Sequence, residues 1–207
     1  MLVFGHTGIT LGVAIFLAGV LRRNRLPVTI ESEAEEPSSG HSRLVANRKA
    51  SGLTHLINLI DTRLILIGAL LPDIIDKPVG QFFFRETFNN GRIFGHTLIF
   101  LIMVTAVGIY LYRRNSRTWL LTLSFGTITH LLLDQMWLNS KTLFWPLLGL
   151  SFERGEVDNY VLSIFQTLLT NPIVYITELV GLAVLIWFFW TIFRRRKIYS
   201  LIKYGKV

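Results

Sequence analysis

The sequence predicts an all-α membrane protein, a polytopic helix bundle of about five transmembrane helices with one further helix at the outer interface. Of the 207 residues, 51% are hydrophobic and only 16% are charged, whereas a soluble domain carries about 25% charged residues. The apolar residues occur in long unbroken runs, which suit helices that face lipid or other buried helices. We therefore expect residues 1–207 to form a single membrane domain.

Two features of the composition limit the chemistry. The chain contains no cysteine, which excludes disulfides and thiolate metal sites. The formal net charge is +8, but basic residues in a membrane protein first report its orientation. We expect membrane lipid as a partner, no nucleic acid, and no obligate protein partner.

The first predicted span covers residues 2–21 and is followed at once by an arginine cluster at 22–25. A cleavable signal peptide has its positive charge before the apolar run, so we predict an uncleaved helix with its N-terminus outside. Gly8 and Gly12 form a small-xxx-small pair that allows close approach of another helix. The run at 31–40 is acidic and turn-rich, which predicts a flexible cytoplasmic loop over residues 23–52.

The second predicted span covers about residues 55–72. Pro72 and Pro78 are predicted to end its helix, which leaves Asp73 and Asp76 at the membrane boundary. A turn at Asn89-Asn-Gly91 then leads to the third predicted span.

The remaining apolar runs predict a third span at 95–112, a fourth at about 118–138 and a fifth at 173–193. Between 139 and 171 no run is long enough to span, but apolar residues at helical spacing over 157–169 predict a helix lying in the interface. Asn171-Pro172 is a good N-cap and first-turn pair for the fifth span. A basic tail, 194–207, is predicted to lie in the cytoplasm.

This topology places most of the 21 lysines and arginines on one side of the membrane. The exceptions are Lys77, Arg85, Arg92, Lys141 and Arg154. Because cytoplasmic segments are enriched in basic residues, we predict a multi-pass protein of the cytoplasmic membrane with its N-terminus outside and its C-terminus in the cytoplasm.

Ionisable residues inside the predicted spans are the candidate functional residues, since a charge there costs at least about 2.5 kcal/mol. His130 and Asp134 lie four residues apart, so on a helix they share a face and suit a divalent metal. The alternative is a His–Asp pair that is hydrogen-bonded within the bundle. The topology brings further imidazoles and carboxylates to the same depth outside. The predicted metal ligands are His6, Asp73, Asp76, His96, His130 and Asp134.

Imidazoles and carboxylates without thiolates suit one or two divalent ions, with zinc favoured over manganese, iron or magnesium. A bound ion lowers the pKa of water toward neutrality and polarises an ester or phosphoester oxygen. Asp76 and Glu178, which lies in the fifth span, are the candidate catalytic carboxylates, as a general base or as support for the ligands. Spacing alone does not separate these two roles.

The same residues resemble a known family. The chain contains, in order, Gly5-His6-Thr7, Leu71-Pro72-Asp73, Gly95-His96-Thr97, Thr129-His130 with Asp134, and Trp145-Pro146. This set resembles the YdjM-type family, whose members are inferred to be membrane-bound metal-dependent hydrolases, distantly similar to zinc-dependent phospholipase C. The resemblance implies an all-helical membrane protein with a His/Asp metal centre and a hydrolytic reaction.

The chain departs from the family pattern at two places. Asp76 lies one residue later than the family's second carboxylate, and Trp137-Leu-Asn-Ser follows Asp134 where the family tends to have a glycine. Because of the first departure, the resemblance does not directly assign Asp76 as a metal ligand. The second affects the expected shape of the loop that carries Trp145.

Three functions are compatible with the sequence. The favoured one is a membrane-embedded metal-dependent hydrolase that cleaves an ester or phosphoester of a lipid or lipid-linked substrate at the extracytoplasmic face, with Arg92 and Trp145 binding substrate. The second is a transporter of a divalent ion or solute that uses the same cluster. It is disfavoured because the inner halves of the helices are apolar and no inverted repeat is visible. The third is a structural or regulatory membrane subunit.

Overall fold

The computed structural model describes residues 1–23, 61–155 and 160–205, and within these ranges every regular element is helical. The predicted all-α class is therefore confirmed. The predicted loop, beyond Arg23, and the start of the second predicted span lie outside the described residues. The helices are α1 (Val3–Arg23), α2 (Thr62–Gly68), α3 (Leu71–Lys77), α4 (Leu98–Asn115), α5 (Trp119–Leu133), α6 (Ser140–Leu143), α7 (Tyr160–Thr170), α8 (Pro172–Arg194) and α9 (Ile198–Tyr204).

Among the described helices, three are long and apolar enough to cross a membrane: Val3–Val20 within α1, Leu98–Asn115 (α4) and Pro172–Arg194 (α8). Helix α5 is apolar but has only 15 residues, and a transmembrane helix needs about 20. It ends because Gln135 adopts a left-handed backbone conformation, with φ 52°. The predicted continuation of this helix to residue 138 is therefore wrong.

The region of the second predicted span contains two short helices. Helix α2 begins after Asp61, whose side chain accepts a hydrogen bond from the Arg63 N–H at 2.9 Å. Helix α3 begins with Pro72 in its first turn and continues into a π-helical segment, Pro78–Phe83. The prediction that the prolines end the helix therefore holds for Pro72, which follows the end of α2 and starts a new helix, because proline lacks an N–H and suits a first turn. It is wrong for Pro78, where the chain continues into the π-helical segment.

Helices α1 and α8 pack closely because two glycines meet between them. A Cβ on Gly8 would collide with the backbone of Gly181, and a Cβ on Gly181 with the backbone of α1. The predicted close approach at Gly8 is confirmed, whereas a Cβ at Gly12 would make only ordinary contact with Val184. A buried apolar cluster extends this contact: Leu11, Phe188 and Ile192.

Helix α5 packs against both α2 and α4. Its Gly126 lies against the backbone of Gly68 at the end of α2, where a Cβ would not fit. On its other side, the hydroxyls of Ser124 and Thr105 share a hydrogen bond at 2.6 Å. The C-terminal end of α5, which carries His130, therefore lies beside the break between α2 and α3.

The start of α8 is as predicted. Asn171 Oδ1 accepts hydrogen bonds from the N–H groups of Ile173 (3.1 Å) and Val174 (3.4 Å), with Pro172 as the first helical residue. Helix α7 accounts for the described part of the predicted interfacial helix, and its place relative to the membrane stays a prediction. The predicted basic tail includes α9, which contacts the start of α2 through the Thr62 N–H and the Gly205 carbonyl, at 2.8 Å.

Candidate metal centre

Five of the predicted ligands converge in one buried cluster. His6 comes from α1, Asp73 from α3, His96 from the segment before α4, and His130 and Asp134 from the end of α5. The three histidines are fully buried, while the side chains of Asp73 and Asp134 are 10% and 4% exposed. Two overlapping groups have ligand atoms within 4.8 Å of one another: His6, Asp73 and His130, and His96, His130 and Asp134.

Part of the cluster is a triangle of His96, His130 and Asp73. The two Nε2 atoms are 3.1 Å apart, and Asp73 Oδ1 lies 3.6 Å from that of His96 and 3.9 Å from that of His130. A tetrahedral zinc ion with bonds of about 2.0–2.1 Å separates its ligand atoms by roughly 3.3 Å. The triangle therefore has about the size of one face of such a coordination sphere.

Hydrogen bonds fix which ring nitrogens face the centre of this triangle. His130 Nδ1 donates to the Ala69 carbonyl at 2.7 Å, and His96 Nδ1 donates to Asp76 Oδ2 at 2.7 Å. Because carbonyl and carboxylate oxygens only accept, each Nδ1 carries a proton, and in the neutral ring Nε2 then presents a lone pair. The two Nε2 atoms are 3.1 Å apart, a distance that fits either a proton shared between them or a metal ion that both of them bind.

The helix break at Pro72 supplies one of these supports. In a continuous helix the Ala69 carbonyl accepts from the backbone N–H four residues later. At the break between α2 and α3 it accepts from the His130 ring instead. The same break places Asp73 in the first turn of α3. The break at Pro72 therefore positions the candidate ligand Asp73 and also frees the carbonyl that orients His130.

Asp76 is fully buried beneath His96. Besides the His96 ring, its oxygens accept from the backbone N–H groups of Ile93 (2.7 Å), Gly95 (2.7 Å) and His96 (3.2 Å). A carboxylate that orients a metal-binding histidine in this way is a common supporting arrangement. Both oxygens are engaged, so the structure favours support of His96 over the predicted roles of direct ligand and general base.

His6 has few polar contacts within the cluster. Its ring stacks on that of His130, with centroids 4.1 Å apart. Its Nε2 lies 3.0 Å from Asp134 Oδ1, and its Nδ1 has no hydrogen-bond partner among the described residues. An unsatisfied buried polar group costs about 1–3 kcal/mol. A metal ion beside Asp134 and His6 would satisfy this imidazole.

Glu178 reaches from α8 to the N-terminus of α1. Its Oε1 accepts from the N–H groups of Leu2 (2.7 Å) and Gly5 (3.1 Å), and its Oε2 accepts from that of Phe4 (3.0 Å). A carboxylate at this position satisfies free N–H groups and is favoured by the helix dipole. The structure therefore places Glu178 as a cap on the helix that carries His6, which favours a positioning role over the predicted general base.

We expect Glu178→Gln to lower the free energy of unfolding by about 2 kcal/mol, the usual worth of a charge-assisted hydrogen bond. The amide NH2 group must face an N–H donor of α1, so the cap is lost on one side. The measurement is thermal unfolding in detergent, where Tm should fall by about 4–8 °C and metal affinity should fall with it because His6 moves.

The matched control is Glu153→Gln, since this glutamate is 67% exposed, and its Tm should equal that of the wild type. Loss of turnover in Glu178→Gln with unchanged Tm and metal affinity would contradict the positioning role and support a general base.

Each candidate ligand carboxylate also contacts a basic side chain. Asp73 Oδ2 lies 2.6 Å from Lys77 Nζ. Asp134 Oδ2 accepts from Arg92 Nε at 2.9 Å and lies 2.8 Å from Arg92 Nη2, while Asp134 Oδ1 accepts from the Met1 ammonium at 3.0 Å. Asp73 thus has one oxygen near the imidazoles and the other on Lys77. Both oxygens of Asp134, in contrast, contact a cation, and its Oδ1 also lies 3.0 Å from His6 Nε2. From the sequence, Lys77 is counted only among the basic residues on the outer side of the membrane. Its i,i+4 spacing from Asp73 on a helix also indicates this ion pair.

Two cavities adjoin the cluster. The first has a volume of about 420 Å³ and is lined by Asp73, Asp134, Lys77 and Arg92, with α7 residues on one wall. The second has a volume of about 460 Å³ and shares Arg92 and Asp134 with the first. Its lining is largely apolar and includes Ile9, Leu132, Leu133, Trp137, Leu138 and Ile173. The cluster is thus reached from the cavities through Asp73, which lines the first, and Asp134, which lines both.

The structure brings Arg92 to the cluster but not Trp145. Trp145 packs with Phe94 and Phe152, at ring centroid distances of 5.6 and 5.4 Å, and its indole N–H donates to the Leu150 carbonyl at 3.1 Å. Of the two residues predicted to bind substrate, only Arg92 lines these cavities. Trp145 contributes to an aromatic cluster that packs against the segment before His96.

The fold and this cluster define an all-helical membrane protein with a candidate His/Asp metal centre. A family model described as YdjM inner membrane protein matches residues 1–201. The chain belongs to this family, which confirms the resemblance and extends it beyond Pro146 through α8. Comparison with curated proteins and with solved structures gives no significant match.

Proposed function

We propose that the protein is a membrane-embedded metal-dependent hydrolase that cleaves an ester or phosphoester of a lipid or lipid-linked substrate. The observation that carries this proposal is the facing pair of Nε2 atoms of His96 and His130, 3.1 Å apart, closed into a triangle by Asp73. Both rings are held through Nδ1, as metal-binding histidines usually are. A donor set of imidazoles and carboxylates suits zinc, with manganese, iron or magnesium as alternatives.

The residues divide the chemistry among themselves. A divalent ion held by Asp73, His96 and His130 would supply Lewis acidity toward an ester or phosphoester oxygen and would lower the pKa of water toward neutrality. Asp76 and the Ala69 carbonyl hold the imidazoles with the proton on Nδ1, which leaves Nε2 toward the ion. Asp73 and Asp134 line the first cavity, where the substrate would meet the site. The two overlapping donor groups provide for one or two ions.

The family and the cavities support a lipid substrate. The chain belongs to an inner membrane protein family, and the second cavity has a largely apolar lining beside Arg92 and Asp134. The distribution of basic residues supports an orientation with the N-terminus outside. In that orientation the metal centre faces the extracytoplasmic side, because it lies beside the N-terminus of α1.

We expect the detergent-purified protein to hold one or two divalent ions per chain, and removal of the metal by a chelator to abolish hydrolysis. Readdition of one metal should restore it. Metal should also stabilise the folded chain, by about 2.7 kcal/mol at a free metal concentration 100 times the Kd. The measurements are elemental analysis, thermal unfolding and product release from phospholipid and soluble phosphoesters.

Full turnover by the metal-free protein, or no bound metal at all, would refute this function. Uptake of a divalent ion into liposomes that contain the protein, without hydrolysis, would favour the transporter.

A further inference from the structure

Lys77 and Arg92 both line the first cavity. Gly91 lies against the stem of Lys77, where a Cβ would be 3.5 Å from Lys77 Cγ, and Arg92 is the next residue. Each cation holds the outer oxygen of one candidate ligand, at 2.6 Å for Asp73 and 2.8 Å for Asp134. All four side chains line the same cavity of about 420 Å³. The two cations are thus fixed next to the metal centre by its own carboxylates.

The segment that carries Arg92 is held by its own hydrogen bonds. The Arg92 N–H donates to Asn90 Oδ1 at 2.9 Å. The amide of Asn90 donates to the Glu153 carbonyl and that of Asn89 to the Gly155 carbonyl, both at 2.7 Å. Because these hydrogen bonds hold the segment in place, a ligand that binds to Arg92 loses little free energy to ordering it.

Charge balance makes the first cavity sensitive to the metal. Lys77 and Arg92 are matched one to one by Asp73 and Asp134, so these two pairs carry no net charge, and the Met1 ammonium on Asp134 Oδ1 adds one positive charge. Each bound divalent ion adds two more positive charges beside this cavity. The attraction for an anion is therefore much stronger when metal is present.

We propose that Lys77, Arg92 and the bound metal form a phosphate subsite, and that metal and phosphate bind cooperatively. An arginine fork and a lysine ammonium beside it are the side chains that suit phosphate oxygens. This inference rests on the proposed function and narrows its substrates to phosphate esters. Because coupling between sites is reciprocal, phosphate strengthens metal binding by the same factor as metal strengthens phosphate binding.

The second cavity indicates where such a phosphate comes from. It shares Arg92 and Asp134 with the first cavity, and its lining includes Leu132, Leu138 and Ile173, which are 55%, 70% and 65% exposed. A cavity that has these apolar residues beside Arg92 suits an acyl chain attached to a phosphate headgroup. A free soluble phosphate ester would use only the first cavity.

The test measures binding of inorganic phosphate by calorimetry to the full-length chain in detergent, metal-free and after stoichiometric zinc loading with excess zinc removed. We expect zinc to tighten phosphate binding by about 5-fold or more, the lower end of typical coupling. Arg92→Gln and Lys77→Gln should each weaken phosphate binding to the loaded protein by about 10-fold. The matched controls are Arg114→Gln, at an exposed arginine bonded to the Tyr110 hydroxyl, and Lys141→Gln, at an exposed lysine paired with Glu153.

Equal phosphate affinity with and without zinc overturns this inference, and so does unchanged affinity in both variants, even where the protein hydrolyses a substrate. Absence of bound metal in the wild type refutes the proposed function instead. Should a glutamine variant lose zinc, Arg92→Lys and Lys77→Arg keep the charge. In those proteins the retained charge should preserve zinc binding, while Arg92→Lys still weakens phosphate binding through loss of the planar fork.

Two further arms distinguish the source of the phosphate. The first uses phosphatidylcholine vesicles that contain phosphatidic acid, and the second uses glycerol 3-phosphate in solution. Tighter binding of the zinc-loaded protein to the lipid assigns the subsite to a lipid headgroup. Equal binding of both assigns it to a soluble phosphate ester.

Discussion

The Asp76→Asn protein is expected to lose most of its metal affinity. Asp76 accepts four hydrogen bonds, one from the His96 ring and three from the backbone N–H groups of residues 93, 95 and 96. An asparagine has one acceptor oxygen and an NH2 group that only donates. Wherever the NH2 group points, it meets at least one donor. If it faces the His96 ring, the proton moves to Nε2, which then has no lone pair for a metal.

The expected loss is about 10–100-fold in zinc affinity, as for other carboxylates that orient a metal-binding histidine, together with about 1–3 kcal/mol of stability for the unsatisfied donor. Zinc affinity is measured by competition with a chromophoric chelator, and stability by thermal unfolding. Asp61→Asn is the matched control, since Asp61 caps α2 and pairs with Arg63. Wild-type zinc affinity in Asp76→Asn with loss of turnover would assign Asp76 to the general base.

The largest effect on metal content is expected from His130→Ala, because His130 belongs to both overlapping donor groups. The substitution removes one lone pair of the triangle and leaves the Ala69 carbonyl without the ring N–H that it accepts from. We expect the purified variant to retain no metal after gel filtration and to have no hydrolytic activity. Loss of a ligand should exceed the roughly 10–100-fold cost of losing a supporting group.

His41→Ala is the control, since His41 lies in the predicted loop outside the described residues, and it should keep the metal of the wild type. Wild-type metal content in His130→Ala would show that the imidazoles form a hydrogen-bonded core and would remove the basis of the proposed function.

The convergence of the candidate ligands could be predicted, because the position of a residue along a predicted span gives its depth in the membrane. Once spans and orientation are assigned, His6, Asp73, His96 and His130 fall at one level, and the structure places them together. The fold class follows from composition alone, because chains this apolar bury their helices in lipid or against one another. Predicting that the ligands meet requires only the position and direction of each span, and no contact between side chains.

Roles within the cluster could not be predicted, because they depend on contacts between distant segments. Asp73 and Asp76 lie on the same short helix, yet Asp76 is directed to the segment before α4, which the spacing of two aspartates does not reveal. Glu178 caps a helix that begins more than 170 residues earlier. The end of α5 depends on the left-handed backbone of Gln135, a residue type that does not favour that conformation. In each case tertiary contacts outweigh local preference.

The glycine contact between α1 and α8 also bears on how quickly the protein takes up its ion. Backbone lies directly against backbone at Gly8 and Gly181, and Glu178 holds the first turn of the N-terminal helix through three hydrogen bonds. We therefore expect the imidazole of His6 to keep its position before an ion binds. Loading then requires no rearrangement of the bundle, so its speed should follow diffusion through the cavity rather than a slow conformational step.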